Sequence, residues 1–125
     1  MPETRIHLNA IANQLARYSY RYSNEARLHD AMAKVLESHD FAFEHEYVLD
    51  ARNRADFWLN GIVIEVKVDG SLSDALRQVD RYINLPHVKG VILAGTPRWA
   101  GQALQEKPVW QDKPFQMIRL ERQSL

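Results

Sequence analysis

The chain has 125 residues, with 16 Lys and Arg against 16 Asp and Glu, and so carries no formal net charge. That length fits one domain with one core, and the charge balance argues against a strong non-specific nucleic-acid binder, which carries a basic excess. The absence of cysteine excludes disulfides, thiolate zinc sites and cysteine nucleophiles and suits a reducing cytoplasm; no apolar run approaches the ~18 residues of a membrane span, and Met-Pro-Glu-Thr-Arg lacks the apolar region of a signal peptide.

Residues 3 to about 18 place Ile6, Ile11, Leu15 and Tyr18 at helical spacing and predict a first helix. Tyr18, Tyr20 and Tyr22 then alternate with Arg17 and Arg21, and Arg27 follows. Such a set suits stacking on bases and contact with phosphates; it equally suits tyrosines packing a helix junction. Ser23-Asn24 is a helix-start signal. Leu28, Met32, Val35 and Leu36 form the stripe of a second helix reaching about Ser38. Glu25 falls on the inward side of its first turn, where the helix dipole favours a carboxylate. His29 lies one turn further on and reads either as a partner that supports Glu25 or, preferably, as a helix-surface residue. The histidines His7, His29, His39, His45 and His87 show no metal-ligand spacing.

Phe41 to Leu49 alternates as a strand, with Phe41, Phe43, His45, Tyr47 and Leu49 on one face. After a turn at residues 50–53, Arg54 to Val68 reads as a hairpin around Asn60-Gly61, two residues that tolerate positive φ. Counting from that turn, Leu59 faces Ile62, Trp58 faces Val63, Phe57 faces Ile64 and Asp56 faces Glu65, the last at a non-hydrogen-bonded position where side chains approach closely. Lys67, two residues beyond Glu65, shares its face. The other face, Ala55, Phe57, Leu59, Ile62, Ile64, Val66 and Val68, is wholly apolar. Facing carboxylates repel unless a divalent cation, Lys67 or Arg54 offsets them. Mg²⁺ takes oxygen ligands, often one or two carboxylates with substrate phosphate and water, and a lysine beside it can orient a water or stabilise charge on phosphate.

Asp69-Gly70-Ser71 ends the strand, and Ser71 with Asp74 resembles a capping box. A third helix is expected to run to about Leu85 with Leu72, Ala75, Leu76, Val79 and Ile83 inward, closed by Pro86. Gln78 and Tyr82 are one turn apart on it and point together. Arg77 and Arg81, one turn apart, suit a grip on phosphate or, as the preferred reading, pairing with Asp74 and Asp80 on a solvated face. Val88 to Ala94 reads as a buried strand, giving a parallel crossover. A short helix over Arg98 to about Leu104 and a last strand over Phe115 to Leu120 complete an α/β order with a mixed sheet. Trp99 and Trp110 read as core or subunit-contact residues. No serine-histidine-aspartate set or phosphate loop is visible.

Asp56 on one strand, Glu65-Val66-Lys67 on the next and a helix directly after resemble the PD-(D/E)XK nuclease superfamily, the restriction-endonuclease-like fold. Gln78-x-x-x-Tyr82 is similar to the helix motif of its RecB-like and lambda-exonuclease-like branches. Ala55 stands where the family's name has proline. The resemblance covers about residues 24–94; it implies a single domain over residues 1–125, with the helix at 3–18 and the strand at 115–120 as additions to a central mixed sheet flanked by helices. It implies Mg²⁺- or Mn²⁺-dependent hydrolysis of DNA phosphodiesters, directed by structure or ends. Asp56, Glu65, the Val66 carbonyl and Glu25 would hold the metal. Lys67 would position the attacking water, and Gln78 and Tyr82, with Arg21, Tyr22 and Arg27 at the rim, would contact substrate. A cytoplasmic phage or mobile-element nuclease, homodimeric or held by a partner protein, is the corresponding expectation. Two alternatives stand beside it: an RNA-directed nuclease, and a non-catalytic nucleic-acid- or protein-binding module on the same fold, which zero net charge favours.

Overall fold

In the computed structural model, which describes residues 2–104, 110 and 112–123, each helix forms on an apolar stripe, and the second and third begin at a side-chain cap. Helix α1 spans Pro2–Arg17 and buries Leu8, Ile11, Ala12 and Leu15, an i, i+3, i+4, i+7 stripe. Ile6 and Tyr18, expected on that stripe, are exposed. Helix α2, Glu25–Ser38, starts where the Asn24 side chain accepts the Arg27 N–H at 2.9 Å. Helix α3, Leu72–Ile83, starts where the Ser71 hydroxyl accepts the Asp74 N–H at 3.1 Å.

Strands β2 (Glu44–Val48), β3 (Arg54–Leu59), β4 (Ile62–Lys67), β5 (Gly90–Gly95) and β6 (Phe115–Arg119) form one sheet in that order. The first two pairings are antiparallel and the last two parallel, so the sheet is mixed. Helices α1 and α2 cover one face, with Phe57, Leu59, Ile62, Ile64 and Val66 beneath them. Helix α3 covers the other, over Val63, Val91 and Leu93. The β4–α3–β5 connection joins parallel neighbours, as the strand-helix-strand pattern implies. Ser19–Tyr20 (β1) and Glu121–Arg122 (β7) form a second, two-residue parallel pair that no pattern in the sequence announces.

Further expectations from the sequence meet the structure along the chain. The strand expected from Phe41 begins only at Glu44. Its alternation also breaks: Phe43 packs with the α2 side, but Tyr47 and Leu49 pack with the α3 side. Glu46, with φ at 54°, lies between them. Strand β3 changes face at the matching place, since Phe57 and Leu59 join the α2 side while Ala55 joins the α3 side. The register His45 to Phe57 and Tyr47 to Ala55 sets Glu46 opposite Asp56, so both strands turn over at one pair. The short helix is a 3₁₀ turn limited to Arg98–Gly101. Trp99 and Trp110 serve this chain's own packing, donating to the Gly70 carbonyl and the Asp80 carboxylate at 3.0 Å each. Arg77 does pair with Asp74, whereas Asp80 accepts from Trp110.

Candidate metal centre

The Asn60-Gly61 turn forms with φ values of 48° and 96°, and the ladder pairs Leu59 with Ile62, Trp58 with Val63 and Phe57 with Ile64. There the regular ladder stops. Continued by count, the Val66 N–H would donate to the Ala55 carbonyl; it donates instead to Asp56 Oδ2 at 2.7 Å. The Asp56 carboxylate therefore wedges between the two strands. In an extended strand a residue's N–H and C=O leave on the same side, which turns the Val66 carbonyl toward the same gap.

Glu65 lies beside Asp56 and is 4% exposed. Its Oε2 is 3.5 Å from Lys67 Nζ, and its Oε1 is buried without a hydrogen-bond partner. Burial first, and the Asp56 charge second, push its carboxyl up to about 8; Lys67 acts in the opposite direction. From α3, the Gln78 amide donates to the Tyr82 hydroxyl at 2.6 Å, and that hydroxyl donates to the Arg54 carbonyl at 3.1 Å. Burial, then the Glu65 charge, push the Tyr82 phenol up to about 12, so it remains a neutral donor.

On the α2 side, Glu25, His29 and Asp56 each bring one ligand atom within 4.8 Å of the others. Glu25 is half exposed rather than inward, with Oε1 3.7 Å from His29 Nε2. His29 is 7% exposed and is not a helix-surface residue. Its Nδ1 is 2.9 Å from His45 Nε2. Two buried polar atoms thus lack a partner among the described residues, Glu65 Oε1 and His29 Nε2. Such atoms cost ~1–3 kcal/mol each unless something binds them. A divalent cation fits this donor set, since it supplies the missing partner to the carboxylate and relieves the repulsion between the acids.

The site residues read from the sequence divide clearly. Asp56, Glu65, Lys67 and Val66 meet at the gap between β3 and β4, Glu25 approaches it from α2, and Gln78 and Tyr82 approach from α3. The Tyr82 ring is buried and its hydroxyl is engaged twice, which makes it a support rather than a substrate contact. Tyr22 is buried in the core, with the Arg122 guanidinium 4.5 Å above its ring, so it offers no face to a base. Tyr20 is also buried and donates to the Leu15 carbonyl at 2.7 Å. Arg21 and Arg27 are exposed and share a shallow groove with Asp30 and Lys34. From the sequence, His29 reads as a partner of Glu25 or, preferably, as a helix-surface residue, and His45 carries no expected role at the site. The available signal was His29, Met32 and Leu36 at i, i+3 and i+7, which places the histidine on the edge of the buried stripe.

No protein-family model, curated protein or solved structure matches the chain.

Proposed function

We propose that this protein is a metal-dependent nuclease of the PD-(D/E)XK type, with a restriction-endonuclease-like core formed by α2, β2–β4, α3 and β5. One observation carries the reading: the buried Glu65 carboxylate, its Oε1 unpartnered and its Oε2 3.5 Å from the Lys67 amine, lies beside an Asp56 that has displaced the strand ladder. A fold gains nothing from burying an unpartnered carboxyl beside a second acid at a broken ladder; a site for a cation and a phosphate does.

Asp56, Glu65 and the Val66 carbonyl would hold Mg²⁺ or Mn²⁺, with Glu25 alongside. Such an ion supplies Lewis acidity toward the phosphate and lowers the pKa of its water. Lys67 places its ammonium beside the carboxylates, where it orients the attacking water and stabilises the charge that develops on phosphate. Gln78, held by Tyr82, sets the α3 wall and leaves its second amide N–H to donate to the substrate backbone. Arg21 and Arg27 contribute a basic rim, with DNA as the first substrate and RNA the second.

The test is cleavage of linear, nicked and branched DNA, and of matched RNA, in Mg²⁺ and in Mn²⁺. Asp56→Ala and Lys67→Ala are expected to lower the rate by ~100-fold or more. Undiminished cleavage in both variants rules out this site. Zero net charge favours the second reading, a binding module without turnover; tight nucleic-acid binding with no cleavage of any substrate in either metal would support that reading.

A further inference from the structure

The α2 side of the gap holds a donor set of different chemistry from the oxygens of Asp56, Glu65 and Val66. A cavity of about 340 Å³ opens there, lined by Glu25, Ala26, His29, His45, Glu46 and Asp56. Acids in a cavity do not by themselves make a site. The independent observation is His29, whose ring is 7% exposed and whose Nε2 is buried with no hydrogen-bond partner. The His29 ring joins the carboxylates of Glu25 and Asp56 in a group whose ligand atoms all lie within 4.8 Å of one another, and its Nε2 is 3.7 Å from Glu25 Oε1.

The other ring nitrogen explains how the lone pair is presented. His29 Nδ1 and His45 Nε2 are 2.9 Å apart, so one proton lies between them. When His29 donates, its Nε2 carries the free lone pair, 3.7 Å from the Glu25 carboxylate. Metal-ligating imidazoles use this arrangement: the far N–H donates to an acceptor that fixes tautomer and orientation. Phe57 holds both rings, with centroids 5.5 Å from His29 and 5.0 Å from His45. The reversal at Glu46 contributes too, because it keeps His45 with Phe57 on the α2 side while Tyr47 and Leu49 leave for the other.

We infer that Glu25, His29 and Asp56 form a mixed nitrogen–oxygen site for a divalent transition-metal ion, with His29 Nε2 as a direct ligand and His45 as the residue that orients it. Mg²⁺ prefers oxygen alone, whereas imidazole suits Fe²⁺, Ni²⁺, Cu²⁺ and Zn²⁺, and Mn²⁺ serves as the paramagnetic probe of the site. The inference shares Asp56 and Glu25 with the proposed hydrolytic site and to that extent rests on that reading, but it concerns binding and metal choice rather than cleavage.

Mn²⁺ titration with pulsed electron paramagnetic resonance tests it directly. The wild-type protein is expected to bind Mn²⁺ with a ¹⁴N coupling from one imidazole. His29→Gln is expected to lose that coupling and ~10-fold or more in Mn²⁺ affinity, while Mg²⁺ affinity stays within about 2-fold. His45→Gln should keep the coupling with Mn²⁺ affinity lowered ~10-fold. Bound Mn²⁺ without nitrogen coupling in the wild type, or coupling that persists in His29→Gln, overturns the inference. Should His29→Gln fail to fold, His45→Gln decides: loss of the coupling there assigns the nitrogen to His45 and refutes the role of His29. Lys67-dependent cleavage with no nitrogen coupling would sink this inference and leave the nuclease reading standing. Nitrogen coupling with no cleavage would do the reverse, and no Mn²⁺ binding at millimolar metal would end both.

Discussion

Replacing Glu65 with glutamine keeps the shape of the side chain and removes the charge that the fold holds most expensively. The wild-type carboxyl moves from its ordinary value of 4.5 to about 8 in the folded protein. Its folded pKa lies above its unfolded one, so the stability it contributes is complete below pH 4.5 and is lost as pH rises through 8. Each tenfold change in proton affinity is worth ~1.4 kcal/mol. The metal-free wild type is therefore expected to fall behind Glu65→Gln by roughly 1 kcal/mol at pH 5 and roughly 3 kcal/mol at pH 7. The gap approaches roughly 5 kcal/mol well above pH 8. Against a total stability of ~5–15 kcal/mol these are large effects. Urea denaturation of both proteins in a chelator, at steps from pH 5 to pH 8, measures the gap directly. A gap that stays flat across that range would refute the argument, because it would mean that Glu65 is not held protonated by its burial and by Asp56. Saturating Mn²⁺ should shrink the gap for the wild type alone, since the ion binds the ionised carboxylate.

Two further outcomes test the frame of the site. Tyr82→Phe removes the donor to the Arg54 carbonyl and the acceptor for Gln78; it should cost about 1–2 kcal/mol by urea denaturation and slow cleavage less than Lys67→Ala does. Gly61→Ala should cost about 1–2 kcal/mol by the same assay, because Gly61 has a φ of 96° and a Cβ there would come within 2.8 Å of the Lys89 side chain.

The amino-acid sequence by itself determined the elements and the hairpin register, because those signals act over a few residues. Asn24 and Ser71 cap helices locally, and Asn60-Gly61 fixes which residues pair as far as Phe57 and Ile64. That register brought Asp56 and Glu65 together before any packing was known. Alternation then failed at Glu46 and Asp56, since a period of two assumes a continuous ladder, and a carboxylate that captures the Val66 N–H interrupts it. Burial was likewise beyond local pattern. Tyr22 looked like a stacking surface, but the β1–β7 pair brings the guanidinium of Arg122, 100 residues away, over its ring. His29 looked solvent-facing until β2 and β3, packed against α2, brought His45 and Phe57 against its ring. The proton held on Glu65 and the bare nitrogen of His29 arise from that same packing, because only the closed fold removes water from both atoms at once.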